Sequence, residues 1–445
     1  MKGNDGFLEK KFRLSENNTN VKTEVMAGIT TFMTMAYILI VNPITLSAAG
    51  MDFGAVFTAT ALSALIATLI MALYANLPFA LAPGMGLNAF FALSVVKGMG
   101  YSWQFALTAV FLEGIIFIIL TFFNIREAII NSIPLNLKRA VSVGIGLFVA
   151  LIGLVNSGIV VSGKFHVGDG KLDGLVVQLG NLTSGPALLA VIGLLITGVL
   201  LAKGVKGALL IGILVSTILG IPMGVTNVEG FKLISAPPSI SPVMFKLDFS
   251  NVFSVDMLII LFTFLFVDMF DTVGTLVGVA TKADMLDENG KVPRAKQALF
   301  ADAIGTTLGA LLGTSTVTTY VESASGVAEG GRTGLTALST AGMFCLALLF
   351  SPVFIMIPGA ATAPALILVG LFMMSPIIKI DFDDFTEAIP AFLAIVMMPF
   401  AYSISEGIVF GMISYVILKT FTGKSKDVSP LLYVISILFV IKFLV

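Results

Sequence analysis

Five carboxylates stand inside runs of the chain that are otherwise apolar: Glu113, Asp268, Asp271, Asp302 and Glu322. Two of them share the stretch FTFLFVDMFDTVGT, Phe262 to Thr275, three residues apart and therefore on one face of a helix. A carboxylate at mid-membrane costs about 2.5–3.5 kcal/mol on an insertion scale, so Asp268 and Asp271 must face protein or water rather than lipid. Glu322 follows the run TSTVTTYV, where an extended segment is expected to turn into helix. There a helix start favours the charged carboxylate while burial favours the neutral one, and such a balance makes a titratable switch. Asn88, in GMGLNAF, adds a donor and an acceptor at the corresponding place in the first half of the chain.

Each group also has a purely structural reading. Asp268 could be bonded to hydroxyls of a neighbouring helix, Asp271 could support it, and Asn88 could cap or pack a helix. Glu113 and Asp302 read equally well as proton-path groups and as buried, hydrogen-bonded acids. Taken as a ligand site, acids plus an amide repel anions, and a metal ion would call for more side-chain oxygens, so neither a metal nor a cofactor is expected. A neutral heterocycle with several ring N–H donors fits, because a carboxylate accepts charge-assisted bonds from adjacent donors. Purines and pyrimidines are of that kind.

The elements that must position these groups are membrane helices. Of 445 residues, 57% are hydrophobic and 11% charged, with a mean hydropathy of +1.03; soluble domains carry about 25% charged residues. The 44 glycines suit closely packed transmembrane helices. A net charge of -1 without a basic run excludes a nucleic-acid partner, and the single cysteine, Cys345, excludes an intrachain disulfide. Apolar runs of spanning length start near Val25, Gly54, Phe105, Leu137, Gly185, Gly207, Val255, Thr333, Ala361, Phe385 and Ser405. Shorter or broken runs at Phe79 to Val96, Ala298 to Leu312 and Val317 to Glu329 bring the total to about 14. Residues 1–23 are polar and read as a cytosolic tail, and the last apolar run, 429–445, is short for a span. With the N-terminus inside, the outer loops hold only Lys97, Lys164, Lys171, Lys232 and Lys246, as the positive-inside rule requires.

VKGALLIGILVSTILG, from Val205, resembles SEGIVFGMISYVILK, from Ser405, at an offset of about seven segments, and an odd offset places the two halves in opposite orientations. The fold expected is thus an all-α polytopic membrane protein of two inverted seven-segment repeats. NLPFALAPGMGLNAFF, from Asn76, and GTSTVTTYVESASGVAEGG, from Gly313, occupy matching places in the two halves. Each opens with strand-like residues and continues as a short helix. A strand in lipid would leave backbone groups unpaired, so the two are expected to be buried and to pair with each other as short antiparallel strands. Paired interrupted segments also point to a transporter's substrate site.

GMGLNAFF, FVDMFDTVGT and TSTVTTYVESASG, in this order, resemble signature segments of the AzgA-like purine permeases, the adenine, guanine and hypoxanthine branch of the xanthine and uracil nucleobase transporters. The likeness covers essentially the whole chain. It implies a core domain of residues 24–134 and 255–358, a gate domain of 135–254 and 359–428, and import of purine bases with protons by alternating access. It implies further that Asp268 and Glu322 contact the purine and couple the proton, that Asp271 and Asn88 support the site, and that Gly86 permits close approach. The expected setting is the cell membrane, multi-pass, with a homodimer formed through the gate domain. An anion or other nucleobase transporter of the same architecture remains an alternative. So does an intramembrane aspartyl enzyme, although the Gly-x-Gly-Asp context of such enzymes is missing.

Overall fold

A computed structural model describes residues 6–123, 134–167, 170–229, 232–282, 285 and 292–444; Met1 to Asp5 of the expected tail lie outside them. The chain opens with α1 (Phe7–Phe12), α2 (Val21–Met35), α3 (Ile38–Ser47) and α4 (Phe53–Ile70), the last continuing as a π-helix through Ala75. Strand β1 (Leu81–Pro83) leads into α5 (Met85–Ala89), which widens into a π-helix over Phe90–Gly98, and then come α6 (Trp103–Phe122) and α7 (Leu135–Asn156). After β2 (Val160–Val167) and β3 (Gly170–Leu179) come α8 (Gly185–Ala202), α9 (Ala208–Gly220), α10 (Val255–Lys282) and α11 (Ala295–Leu312). Strand β4 (Val317–Thr319), α12 (Ser323–Ala328), α13 (Gly334–Leu349), α14 (Ser351–Ile355), α15 (Gly359–Met373), α16 (Phe385–Phe400), α17 (Ile404–Phe421) and α18 (Pro430–Leu444) complete it.

Polar residues start the helices where the chain turns back. Asn20 Oδ1 accepts from Thr23 N at 3.1 Å, Asp52 Oδ1 from Ala55 N at 2.7 Å, and Ser102 Oγ from Phe105 N at 3.2 Å, each satisfying an orphan helix donor. Among the described residues, six apolar helical runs are long enough to cross a bilayer and four shorter ones accompany them. Small residues let the helices close on one another: a β-carbon on Gly114 of α6 would lie 2.7 Å from Thr307 N of α11.

Two packing groups result. Helices α2, α4, α6, α11 and α13 pack together, with α4, α10 and α11 against the strands, while α7, α8, α9, α15, α16 and α17 form the second group. They meet where α5 and α10 touch α7 and where α2 touches α9. Helix α18 lies on α17 and reaches across, its Phe439 ring 5.5 Å from that of Phe262 on α10.

The expected strand pair is present, antiparallel, with Leu81 opposite Thr319, Ala82 opposite Thr318 and Pro83 opposite Val317. The strands proper are shorter than LPFALA and TSTVTTYV suggest, three residues each, and ahead of β4 the hydroxyls of Thr314, Ser315 and Thr316 bond to other helices. Residues 157–184, read from the sequence as a loop, contain the β2–β3 hairpin, with a register shift at Gly163/Lys164.

Candidate functional site

Two three-residue strands buried in a helical bundle can persist only if their outer edges find donors and acceptors. Threonines of the flanking helices supply them. Thr68 Oγ1 of α4 accepts from Leu81 N at 3.0 Å and lies 3.1 Å from Leu81 O, and Thr306 Oγ1 of α11 donates to Val317 O at 2.8 Å. The ribbon continues through Gly84 N to Thr316 O and Tyr320 N to Ala80 O, both 2.9 Å, and Ala80 N donates to Ser323 Oγ at 3.0 Å. Ahead of β4, Gly313 ends α11 at φ 94°, a conformation that suits glycine. The next three hydroxyls each bind a different element. Thr314 Oγ1 accepts from Asn42 Nδ2 of α3 at 2.8 Å, Ser315 donates to Asn88 Oδ1 of α5, and Thr316 donates to Glu113 Oε2 of α6 at 2.6 Å. The extended segment of the second half is thereby clasped by three elements of the first.

The other four acids sit farther along this ribbon. Asp268 and Asp302 are both fully buried and converge on one hydroxyl: Thr272 Oγ1 is 3.1 Å from Asp268 Oδ1, 2.9 Å from Asp302 Oδ1 and 2.7 Å from Thr318 Oγ1 of β4. Glu322, just after β4, is half-buried and accepts from the Tyr37 hydroxyl at 2.7 Å. Asp271, also half-buried, lies close enough to Glu322 and Asp302 to feel their charge. Of the two acids three residues apart on α10, Asp271 lies within electrostatic reach of Asp302 and Glu322, and Asp268 meets Asp302 through the Thr272 hydroxyl.

Asn88 is fully buried, with Ser315 on its carbonyl oxygen and its amide nitrogen 4.0 Å from Met85 Sδ. Gly86 lies against α7: a β-carbon there would stand 2.6 Å from Ile145 Cγ2. Sequence reasoning did not single out Tyr37, Thr272, Thr318, Ser315 or Tyr320. Hydroxyl-bearing residues recur throughout the apolar runs, and only the helix break between Met35 and Ile38 marks the place of Tyr37. Among the described residues no group of three or more His, Cys, Asp or Glu is placed to hold a metal ion. Two surface cavities, of about 590 and 530 Å³, are lined by residues such as Thr19, Arg294 and Arg332 and by Gln104 and Lys246, and none of the five acids lines either. Chemically, the arrangement offers two half-buried acceptors, Glu322 and Asp271, backed by a hydroxyl-linked pair of acids.

Comparison with known proteins places this geometry in context. A sequence model described as "Permease family" matches residues 22–410. The guanine/hypoxanthine permease PbuG of Bacillus subtilis is 46% identical over 97% of this chain and 98% of its own. The adenine permease AdeP of Escherichia coli is 45% identical over 98% of this chain and 96% of its own. Among solved structures, the transmembrane domain of a cyanobacterium bicarbonate transporter, BicA, superposes with a TM-score of 0.64 at 16% identity, covering 88% of this chain and 97% of that one. That last likeness is one of fold.

Proposed function

Because the chain belongs to the Permease family, we propose that it carries purine nucleobases, namely guanine, hypoxanthine or adenine, across the cell membrane in symport with protons. The relatives named for those bases run nearly end to end with this chain, which supports the substrate class. The observation that carries the site is the pair of half-buried carboxylates, Glu322 and Asp271, at the end of the buried strand ribbon. An anionic substrate would be repelled there, whereas a neutral ring presents N–H groups to acceptors that lack them.

In this reading Glu322 accepts from the ring N–H groups and Asp271 stands beside it. Asp268, which the family resemblance also assigns to the purine, acts through Thr272 and Asp302 as the proton-holding group behind it. Asn88 holds the clasped segment in place, and Gly86 permits the close approach of α5 to α7. Residues 24–134 and 255–358 form the core that carries the site. Residues 135–254 and 359–428 form the gate, which also joins two copies, and 429–445 straps across. Core and gate move against each other so that the site opens to one side at a time, with the N-terminus in the cytosol.

Uptake of labelled hypoxanthine, guanine and adenine into vesicles tests this. Accumulation should follow an inward proton gradient, collapse with an uncoupler, and fall at least tenfold in Glu322→Ala and in Asp268→Ala, as the loss of a hydrogen bond to a charged group of about 1.5–3 kcal/mol implies. Undiminished transport by both variants refutes the residue assignment. Accumulation that ignores the uncoupler refutes proton coupling, and absence of purine uptake refutes the substrate.

A further inference from the structure

We propose that Tyr37 is a positioning residue for the purine site, fixing the Glu322 carboxylate so that one oxygen is tied and the other is presented to the ring. This deepens the transport reading above and rests on it for the identity of the ligand. Tyr37 is 1% exposed and stands at the junction where α2 ends at Met35 and α3 begins at Ile38. Its hydroxyl donates to Glu322 Oε1 at 2.7 Å. One helical turn earlier, Thr34 grips the same residue from its backbone side: Thr34 Oγ1 is 3.0 Å from Ser325 Oγ, which donates to Glu322 O at 2.5 Å, and 3.5 Å from Glu322 O itself. Close packing of α2 on α12 makes this grip rigid, since a β-carbon on Gly326 would lie 2.6 Å from Ala27 O.

Among the titratable groups facing Glu322 are Tyr37 from the α2–α3 junction, Tyr320 from the end of β4 and Asp271 from α10. The two phenols divide their work. Tyr320 donates to Pro83 O at 2.5 Å and so ties the ribbon. Tyr37 is left to hold the acid. A carboxylate anchored at Oε1 loses rotational freedom before the ligand arrives, and binding then costs less ordering entropy.

Tyr37→Phe keeps the ring and removes only the hydroxyl. Its expected effect is a rise in KM for purine uptake of about tenfold, the order of one hydrogen bond to a charged group, with kcat within about twofold of the parent. The phenol bonds the charged form of the acid, so removing it should change the pH profile of uptake. In the purified protein without purine, the infrared carboxyl band that disappears in Glu322→Gln should shift in Tyr37→Phe. Unchanged KM, pH profile and carboxyl band in Tyr37→Phe overturn the proposal. A protein that takes up no purine, yet shows the band shift, refutes the transport reading and leaves the Tyr37–Glu322 link standing.

Discussion

A hydroxyl carries one proton, and at Thr272 two carboxylates crowd that single donor. Its oxygen lies within hydrogen-bonding distance of Asp268, Asp302 and Thr318, yet it can donate to only one of the two acids. In the transport reading proposed above, the other acid brings a proton of its own, and the trio holds one shared proton between two carboxylates. Thr272→Val keeps the shape and removes the link. Uptake by this variant is expected to drop about tenfold or more, on the scale of positioned proton transfer, and to lose much of its dependence on the proton gradient, while Thr272→Ser retains both. Equal gradient dependence in Thr272→Val and the parent would disprove the role. At this scale the sequence was half legible. Hydropathy exposed the five acids, because charge in an apolar run is costly. Spacing put Asp268 and Asp271 on one face of α10, but it did not show that both would come within reach of Asp302, or that Asp271 would also lie near Glu322.

At the scale of elements, α5 and α7 pack closely at the seam between the two packing groups. Gly86 is there because Ile145 Cγ2 leaves no room for a β-carbon, and a branched side chain has little freedom to step aside. Gly86→Ala should cost about 1–3 kcal/mol as an overpacked contact, seen as a lower melting temperature and slower uptake. Ile145→Ala in the same chain should restore both; failure of the double variant to recover would place the constraint elsewhere. The opposite end of the second group is joined by charge. Lys419 of α17, with a side chain 4% exposed, lies 2.7 Å from Glu387 of α16 and near Asp384 and Asp427. The Lys424 ammonium and the Thr386 bonds hold the partly exposed Asp384 carboxyl well below the usual carboxylate range. That contribution is full above the ordinary carboxylate pKa and fades as the pH falls through the depressed one, and solvent keeps it small. The strand pair was legible because two interrupted segments at matching places each needed a partner. The β2–β3 hairpin was not, since its mixed polarity between two apolar runs reads equally as a loop.

At the scale of the whole molecule, the hydropathy pattern alone settles that this is a multi-pass membrane protein, and the helical bundle carries that through. Which helices gather into which group was not legible, because every apolar face looks alike to lipid and to protein, and only small residues and buried hydroxyls distinguish them. The hydroxyl clasp from Thr314 to Thr316 shows how far the halves depend on each other: Asn42, Asn88 and Glu113 all come from the first half, and all three partners come from the second. Residues 1–254 made alone should be degraded in the membrane, and co-expression with residues 255–445 should rescue them, as read by the amount of protein that survives detergent extraction. Stable accumulation of the first half by itself would contradict this dependence.

The β1–β4 ribbon also sets a schedule for biosynthesis. Pro83 leaves the ribosome 234 residues before its partner Val317, and at a synthesis rate of about 5–20 residues per second the first strand waits roughly 10 to 50 s for the second. For that interval its backbone groups have Thr68 on one edge and nothing of their own chain on the other. The nascent half must therefore shelter at the insertion machinery or against water, and the site is born late, in one closing step, when the second interrupted segment arrives.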